Sequence, residues 1–236
     1  RRQRQMCIRD RSSSFGLYTW MNNPESQMVA VTVRAGSKAE MALPDGTFVH
    51  LNAATNLEYD VNNSKQRLVK LSGEAFFDVA KNPDCPFKVI INDLQIEVVG
   101  TSFNVKTYKK DIVETSLLSG RIRISGGSLP HEYTLSPGQK ATYSAMDRTL
   151  RISKADAHVE AGWRDNYLIF ESTPLIDVIA QIERWYGVEI RLHHKQIAQD
   201  LLSGSFRNES IQNVIRSLSI QYGFKYEIHK DIITIY

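Results

Sequence analysis

Between Val29 and Ile152 the chain offers no helical stripe, only short runs of strand-forming residues closed by turn residues. Val29–Val33, Arg67–Leu71, Phe87–Ile91, Leu94–Val99 and Gly120–Ile124 are rich in β-branched residues, several alternating with period two. Pro44-Asp45-Gly46, Asn92-Asp93, Gly126-Gly127 and Ser136-Pro137-Gly138 punctuate them. Pro sets the first bend of a turn, while Gly, Asn and Asp tolerate positive φ. Strands at this spacing predict a mainly β domain over residues 29–153, an antiparallel sandwich or a jelly-roll-like body.

Beyond a polar connector at 154–162 the pattern changes to strand, helix, strand, twice over. Leu175, Val178, Ile179 and Ile182 recur at helical spacing, preceded by Thr173-Pro174 and closed by Gly187. Thr suits a helix cap, Pro the first helical position and Gly the terminating left-handed residue. Thirty-six positions on, Ile211, Val214, Ile215 and Leu218 repeat the stripe and Gly223 the stop; Phe170/Phe206 and Tyr186/Tyr222 are also identical across the shift. This internal duplication, flanked by strand-like runs, predicts a small α+β domain over 163–236 with both helices on one sheet. Trp163, and Trp185 with Tyr186, are expected to seal the edges of its core.

Charge removes some functions. Of 29 basic residues, Arg1, Arg2, Arg4, Arg9 and Arg11 crowd the first fourteen positions, and the remaining 24 basic and 25 acidic residues nearly balance. A neutral body without a basic stripe lacks the footprint of a nucleic-acid binder. Residues 1–28 are expected to be a poorly ordered or non-native head. Two cysteines, Cys7 and Cys85, make neither a disulfide framework nor a metal cluster. No run approaches the ~20 apolar residues of a membrane-spanning helix, so membrane anchoring would need a helix upstream.

Sequence signatures of catalysis are missing too. There is no Gly-x-Ser-x-Gly elbow, no phosphate loop, and His131-Glu132 is not continued into a zinc helix motif. His193 and His194 would point to opposite faces of a strand and could not share an ion. Asp45 reads as a turn residue and Glu74 as a strand-start residue. The chain is expected to be no enzyme, with no cofactor and no metal.

Six ordered segments carry a resemblance: Leu43-Pro44-Asp45-Gly46-Thr47 with Leu51-Asn52-Ala53 behind it; Gly73-Glu74-Ala75-Phe76-Phe77-Asp78-Val79-Ala80; Pro86–Val89; Val99-Gly100-Thr101-Ser102-Phe103-Asn104-Val105; Leu118–Ile122, containing Gly120; and Leu135-Ser136-Pro137-Gly138-Gln139. Together they resemble the FecR domain, and the tail from Trp163 to Tyr236 resembles the small domain that follows it in such proteins, which is similar to the secretin and TonB short N-terminal domain. The resemblance implies the periplasmic part of a single-pass inner-membrane anti-sigma factor. That part would be read by the N-terminal signalling domain of a TonB-dependent transporter and would reach an extracytoplasmic-function sigma factor only through a cytoplasmic domain not contained here. A cell-envelope glycan-binding or scaffold module is the alternative, and an unrecognised hydrolase a third. If the partner adds a strand to a sheet edge, three runs are candidates: Leu201–Phe206 (Leu202, Ser203, Ser205), Ile232–Tyr236 (Ile232, Ile233, Ile235) and Val188–Leu192 (Val188, Ile190). The competing expectation is that all three are interior and the partner meets the helix faces.

Overall fold

A computed structural model describes residues 27–61, 67–193 and 195–236, with Lys195 in backbone only. The expected head, save its last two residues, lies outside the described residues, as do Cys7 and His194.

The alternating runs form two seven-stranded sheets among the described residues. In sheet 1 the order is β1 (Met28–Val33), β4 (Thr55–Asp60), β5 (Arg67–Ser72), β7 (Phe87–Ile91), β8 (Leu94–Val98), β11 (Ile122–Gly126) and β12 (Tyr133–Leu135). Sheet 2 runs β2 (Ala39–Ala42), β3 (Phe48–Leu51), β6 (Glu74–Asp78), β9 (Ser102–Lys106), β10 (Ile112–Ser119), β13 (Gln139–Ser144) and β14 (Thr149–Lys154). In both sheets strand order follows chain order, so the sandwich grows by excursions from one layer to the other. It lacks the crossed connections of a jelly roll. All neighbours are antiparallel except β5 and β7, because the chain leaves sheet 1 for β6 between them.

One face of each strand fills a single core. Val89, Ile91, Leu94 and Ile96 come from sheet 1, and Val49, Leu51, Phe77, Phe103 and Val105 from sheet 2. The Phe77 ring lies 5.2 Å from Phe103 beside it and 5.8 Å from Phe87 in the facing sheet. Crossing between layers needs tight corners, and Gly73 makes the sharpest. It is the single residue between β5 and β6, its φ is +113°, and a Cβ there would stand 2.7 Å from the Thr55 Cα. Other residues of the FecR-like segments also serve corners. The Thr101 hydroxyl donates to the Arg121 carbonyl beside Gly120, the Gly138 amide donates to Leu117, and Thr47 Oγ1 accepts from the Ala80 amide.

Residues 154–162, expected to be a linker, are largely helical. Asp156 caps the one-turn helix α1 (Ala157–Ala161) by accepting from the His158 amide, and a 3-10 turn follows at Gly162–Asp165. The C-terminal unit keeps the duplication in register: α2 (Leu175–Tyr186) and α3 (Ile211–Tyr222) superpose on the 36-residue shift, and both end at a left-handed glycine, Gly187 and Gly223. The caps diverge. Ser210 accepts from the Asn213 amide at α3, whereas Thr173 does not cap α2; Pro174 takes that position and its predecessor's hydroxyl accepts from Glu171.

The single sheet expected here is two small ones. β15 (Tyr167–Pro174) pairs antiparallel with β17 (Leu201–Arg207), and β16 (Glu189–Leu192), β19 (Ile232–Ile235) and β18 (Tyr226–His229) form the other in that order. By the 36-residue shift β18 is the copy of β16; β19 is the addition, and a 3-10 turn at Lys195–Gln199 occupies its place in the first repeat. This unit has its own core of Val178, Ile179, Ile182, Val214, Ile215 and Leu218 against Leu168, Phe170, Leu202, Ile233 and Ile235.

Because Phe77 is fully buried among packed rings, Phe77→Ala is expected to lower stability by ~3–5 kcal/mol in urea unfolding. Phe48→Ala, at a ring 40% exposed, should cost under ~1 kcal/mol.

Candidate functional site

Period-two alternation leaves one side of a sandwich sheet in water, but β6 breaks it: Glu74, Ala75, Phe76 and Phe77 are all buried. Neighbours on a strand face opposite ways, so two layers must cover them. The core covers Ala75 and Phe77. The outer side is covered by α1 and the turn behind it, where Ala161 and Trp163 pack on Phe76 with Leu118 and Trp185 alongside. Trp163 therefore seals the outside of sheet 2 and not the core of the C-terminal unit. The adjacent phenylalanines 76 and 77 were the sequence sign that sheet 2 is covered on both sides.

Glu74 sits at the centre of this junction. Its Oε1 accepts from Asn104 Nδ2 at 2.9 Å and its Oε2 from Asn52 Nδ2 at 2.7 Å. Asn104 uses its own carbonyl to accept from the Trp163 indole at 3.1 Å, and Asn52 Oδ1 accepts from the Ala53 amide. Neither amide can rotate without losing a second bond, so a carboxylate is the one group that satisfies both. Burying it unpaired would be costly.

Around this relay the C-terminal unit is fastened to the sandwich. The Gly36 amide, in the turn between β1 and β2, donates to the Arg184 carbonyl at the end of α2 (2.8 Å). Backbones approach so closely that a Cβ on Gly36 would lie 3.1 Å from the Tyr186 oxygen, and one on Gly187 would lie 3.1 Å from the Ala35 oxygen. Lys38 Nζ donates to the Trp163 carbonyl (2.6 Å) and Asn166 Oδ1 (3.0 Å) and lies 3.7 Å above the Trp185 ring. Partial burial lowers its ammonium to about 8, against the opposing pull of Glu74. Arg184 lies over the Tyr108 ring at 4.2 Å, and Lys109 pairs with Asp177 at 2.8 Å. Burial, and then the Glu74 charge, raise the Tyr108 hydroxyl, which donates to the Ala53 carbonyl.

A cleft of about 440 Å³ opens beside these contacts, lined by Lys106, Tyr108 and Glu114 of the sandwich, Glu160 of the connector, and Tyr167 and Asp177 beyond. Lys140 bridges Glu114 and Glu160, each at 2.9 Å. Although burial opposes it, Lys140 and then Lys106 hold the Glu114 carboxyl below its ordinary range. The carboxylates at 74, 114, 160 and 177 thus each have a structural partner. Among the described residues no three His, Cys, Asp or Glu side chains gather as a metal set. Aromatic faces are also taken: Lys38 covers Trp185, Arg164 covers Phe76 at 3.6 Å, Arg184 covers Tyr108 and Arg207 covers Tyr167 at 4.6 Å. A glycan would have to displace these cations to stack there.

Of the three strands expected to offer an edge, one is excluded. β19 is central, paired parallel to β16 and antiparallel to β18, so Ile232, Ile233 and Ile235 have no free main chain toward a partner, and Ile233 and Ile235 are core. β16 is an edge strand, but the Ile190 amide already donates to Glu183 Oε1 at 2.7 Å and its side chain is buried; Val188 is half-buried beside Gly187. β17 pairs with β15 alone. Leu202 points into the core, while Ser203 and Ser205 are exposed, the former accepting from the Ser172 amide across a bulge. Asp45 accepts from both the amide and hydroxyl of Thr47 and pairs with Arg67. Arg67, singled out by no motif, also donates to the Ala80, Asn82 and Cys85 carbonyls.

The described residues thus form a β-sandwich whose FecR-like residues build corners and a docking face, with a duplicated α+β unit fastened to it. Residues 29–123 match the family described as FecR protein, and residues 167–235 match FecR, C-terminal. Two crystal structures of a candidate anti-sigma factor from Parabacteroides distasonis are 30% identical to the chain, with TM-scores of 0.79 and 0.80; they cover 88% and 89% of this chain, which in turn covers 98% and 99% of theirs. No curated protein matches the chain significantly. The chain belongs to the FecR family of anti-sigma factors. Among the described residues no helix is long and apolar enough to cross a membrane.

Glu74→Gln replaces one acceptor by a donor facing an amide that cannot turn, so a loss of ~1–3 kcal/mol is expected in denaturant unfolding; wild-type stability would remove Glu74 from the centre of the junction. Lys38, observed by carbon-13 NMR of its ε-carbon, should titrate near 8. Since the folded chain then holds fewer protons than the unfolded one from there up to the ordinary lysine value of 10.5, stability relative to Lys38→Met should rise with pH across that window.

Proposed function

We propose that this chain is the periplasmic, signal-receiving part of a membrane-anchored anti-sigma regulator, and that it is read by the N-terminal signalling domain of a TonB-dependent transporter. Its effect on an extracytoplasmic-function sigma factor would pass through a membrane helix and a cytoplasmic domain outside this chain. The observation that carries the reading is the ordered pair of FecR-family regions along a chain that matches a candidate anti-sigma factor over nearly its full length.

For the contact itself, β17 supports strand addition. One side of it pairs with β15, and beside it runs a groove of about 360 Å³ lined by Phe206, Glu209, Asn213, Arg216, Ser217 and Ile220. Ile220 is 76% exposed, an apolar side chain set beside an unpaired edge. Main-chain bonds would give affinity and the groove would select side chains.

The test mixes the chain with the signalling domain of its cognate transporter and measures affinity by calorimetry for Gly204→Pro, Ser205→Pro and Ile220→Asp. Successive residues point their amides to opposite sides of a strand, so one of the two prolines removes an outward donor. That variant, folded by circular dichroism, is expected to bind at least ~10-fold more weakly, the equivalent of one charge-free hydrogen bond and its desolvated partner. If both folded proline variants bind normally while Ile220→Asp abolishes binding, the helix face is the interface; absence of any binding would reject the transporter as partner.

A further inference from the structure

The sandwich and the C-terminal unit have separate cores with no residue in common. Between them lie one small cluster, a handful of polar and cation–ring contacts, and the 440 Å³ cleft. Lys140, Glu114 and Glu160 of that cleft are committed to one another, as are Lys109 and Asp177, and cations lie over its Tyr108 and Tyr167 rings; it is a gap between two bodies. Polar, incomplete interfaces of this type let domains move.

The contacts also fall into two groups. Trp163 to Asn104, Lys140 to Glu160 and Ala161 on Phe76 hold the connector to sheet 2. Gly36 to Arg184, Lys109 to Asp177, Arg184 on Tyr108 and Lys38 on Trp185 hold α2. Asn166 lies between the groups. It is left-handed (φ 62°, ψ 29°), closes the 3-10 turn with its amide on Gly162 and Trp163, and directly precedes β15. Lys38 reaches across the junction, to the Trp163 carbonyl in the 3-10 turn, to Asn166 that closes it and to the Trp185 ring of the C-terminal unit.

We propose that the C-terminal unit is a hinged lid on the outer face of sheet 2, pivoting at Asn166 between this docked form and an open form, with Lys38 as the latch. In the open form the connector stays on sheet 2 while the Gly36, Lys38 and Lys109 contacts to α2 are broken, uncovering Trp185 and its side of the Phe76, Ala161 and Trp163 cluster. The two glycines give a way to tip the balance without touching either core, because any side chain at Gly36 presses on the end of α2 only when the lid is docked. Asn is the residue of choice there, since it tolerates the positive φ of the turn.

The experiment uses the whole chain with Cys7 and Cys85 changed to Ser and spin labels at Met146→Cys and Ile220→Cys, positions 79% and 76% exposed on the two bodies. Pulsed electron resonance reads the distance between them. In the parent the docked distance should dominate, with any longer distance at the ~0.1–10% of a minor state. Lys38→Met with Gly36→Asn should make the longer distance the major one, and carbodiimide coupling of Lys109 to Asp177, already at ion-pair distance, should restore the short one. Lys38→Met alone, read in the same way, stands in if the double variant does not fold. A folded variant that keeps a single docked distance overturns the hinge, as does unfolding of both cores in one transition whenever the latch is removed.

Discussion

The arrangement of the two units depends on how one buried carboxylate is satisfied. Glu74 would be an expense on the outer face of a sheet once that face is covered, and it is made tolerable only because Asn52 and Asn104 each turn an amide toward it. That orientation leaves the Asn104 carbonyl facing outward, where it receives the Trp163 indole. A charge buried in the sandwich thus sets where the connector lies, and the connector sets where α2 meets the turn at Gly36. Buried polar networks of this kind contribute more to a unique geometry than to net stability.

The FecR-like residues divide the same way. Gly73, Thr101, Gly120 and Gly138 make corners at which the chain changes layer, and Phe77 and Phe103 fill the core between the layers. Phe76, Glu74 and Asn104 do neither; they face outward and are buried by the rest of the chain. A family pattern that includes outward-facing residues of a β body therefore carries the docking of a second unit as well as the fold of the first.

Much of this was legible in the residues. The strand runs, the sandwich class and the 36-residue duplication follow from periodicities of two and 3.6, which burial enforces directly. The separate sheets of the C-terminal unit were not legible, because β19 has no copy in the first repeat and local pattern does not say which strand it joins. The same gap left Ile232, Ile233 and Ile235 open between an edge and an interior strand, and they lie in the central one. Residues 154–162 read as a linker because their small and polar side chains suit one, and the covering role of Trp163 depends on contacts to Phe76 and Asn104 some sixty to ninety positions away. Glu74 read as a strand-start residue for the same reason: its partners are 22 and 30 positions distant. Lys38 and Arg184 carry no motif and are visible only once α2 is set against the turn between β1 and β2.

The measurement that bears most directly on this account is a double-mutant cycle between Glu74 and Trp163, using Glu74→Gln, Trp163→Phe and the pair. Those two side chains are linked through Asn104, so their effects on unfolding free energy should couple by ~0.5–3 kcal/mol. Additivity to within ~0.3 kcal/mol would show that the buried carboxylate does not position the connector, and the account of how the two units are held together would be wrong.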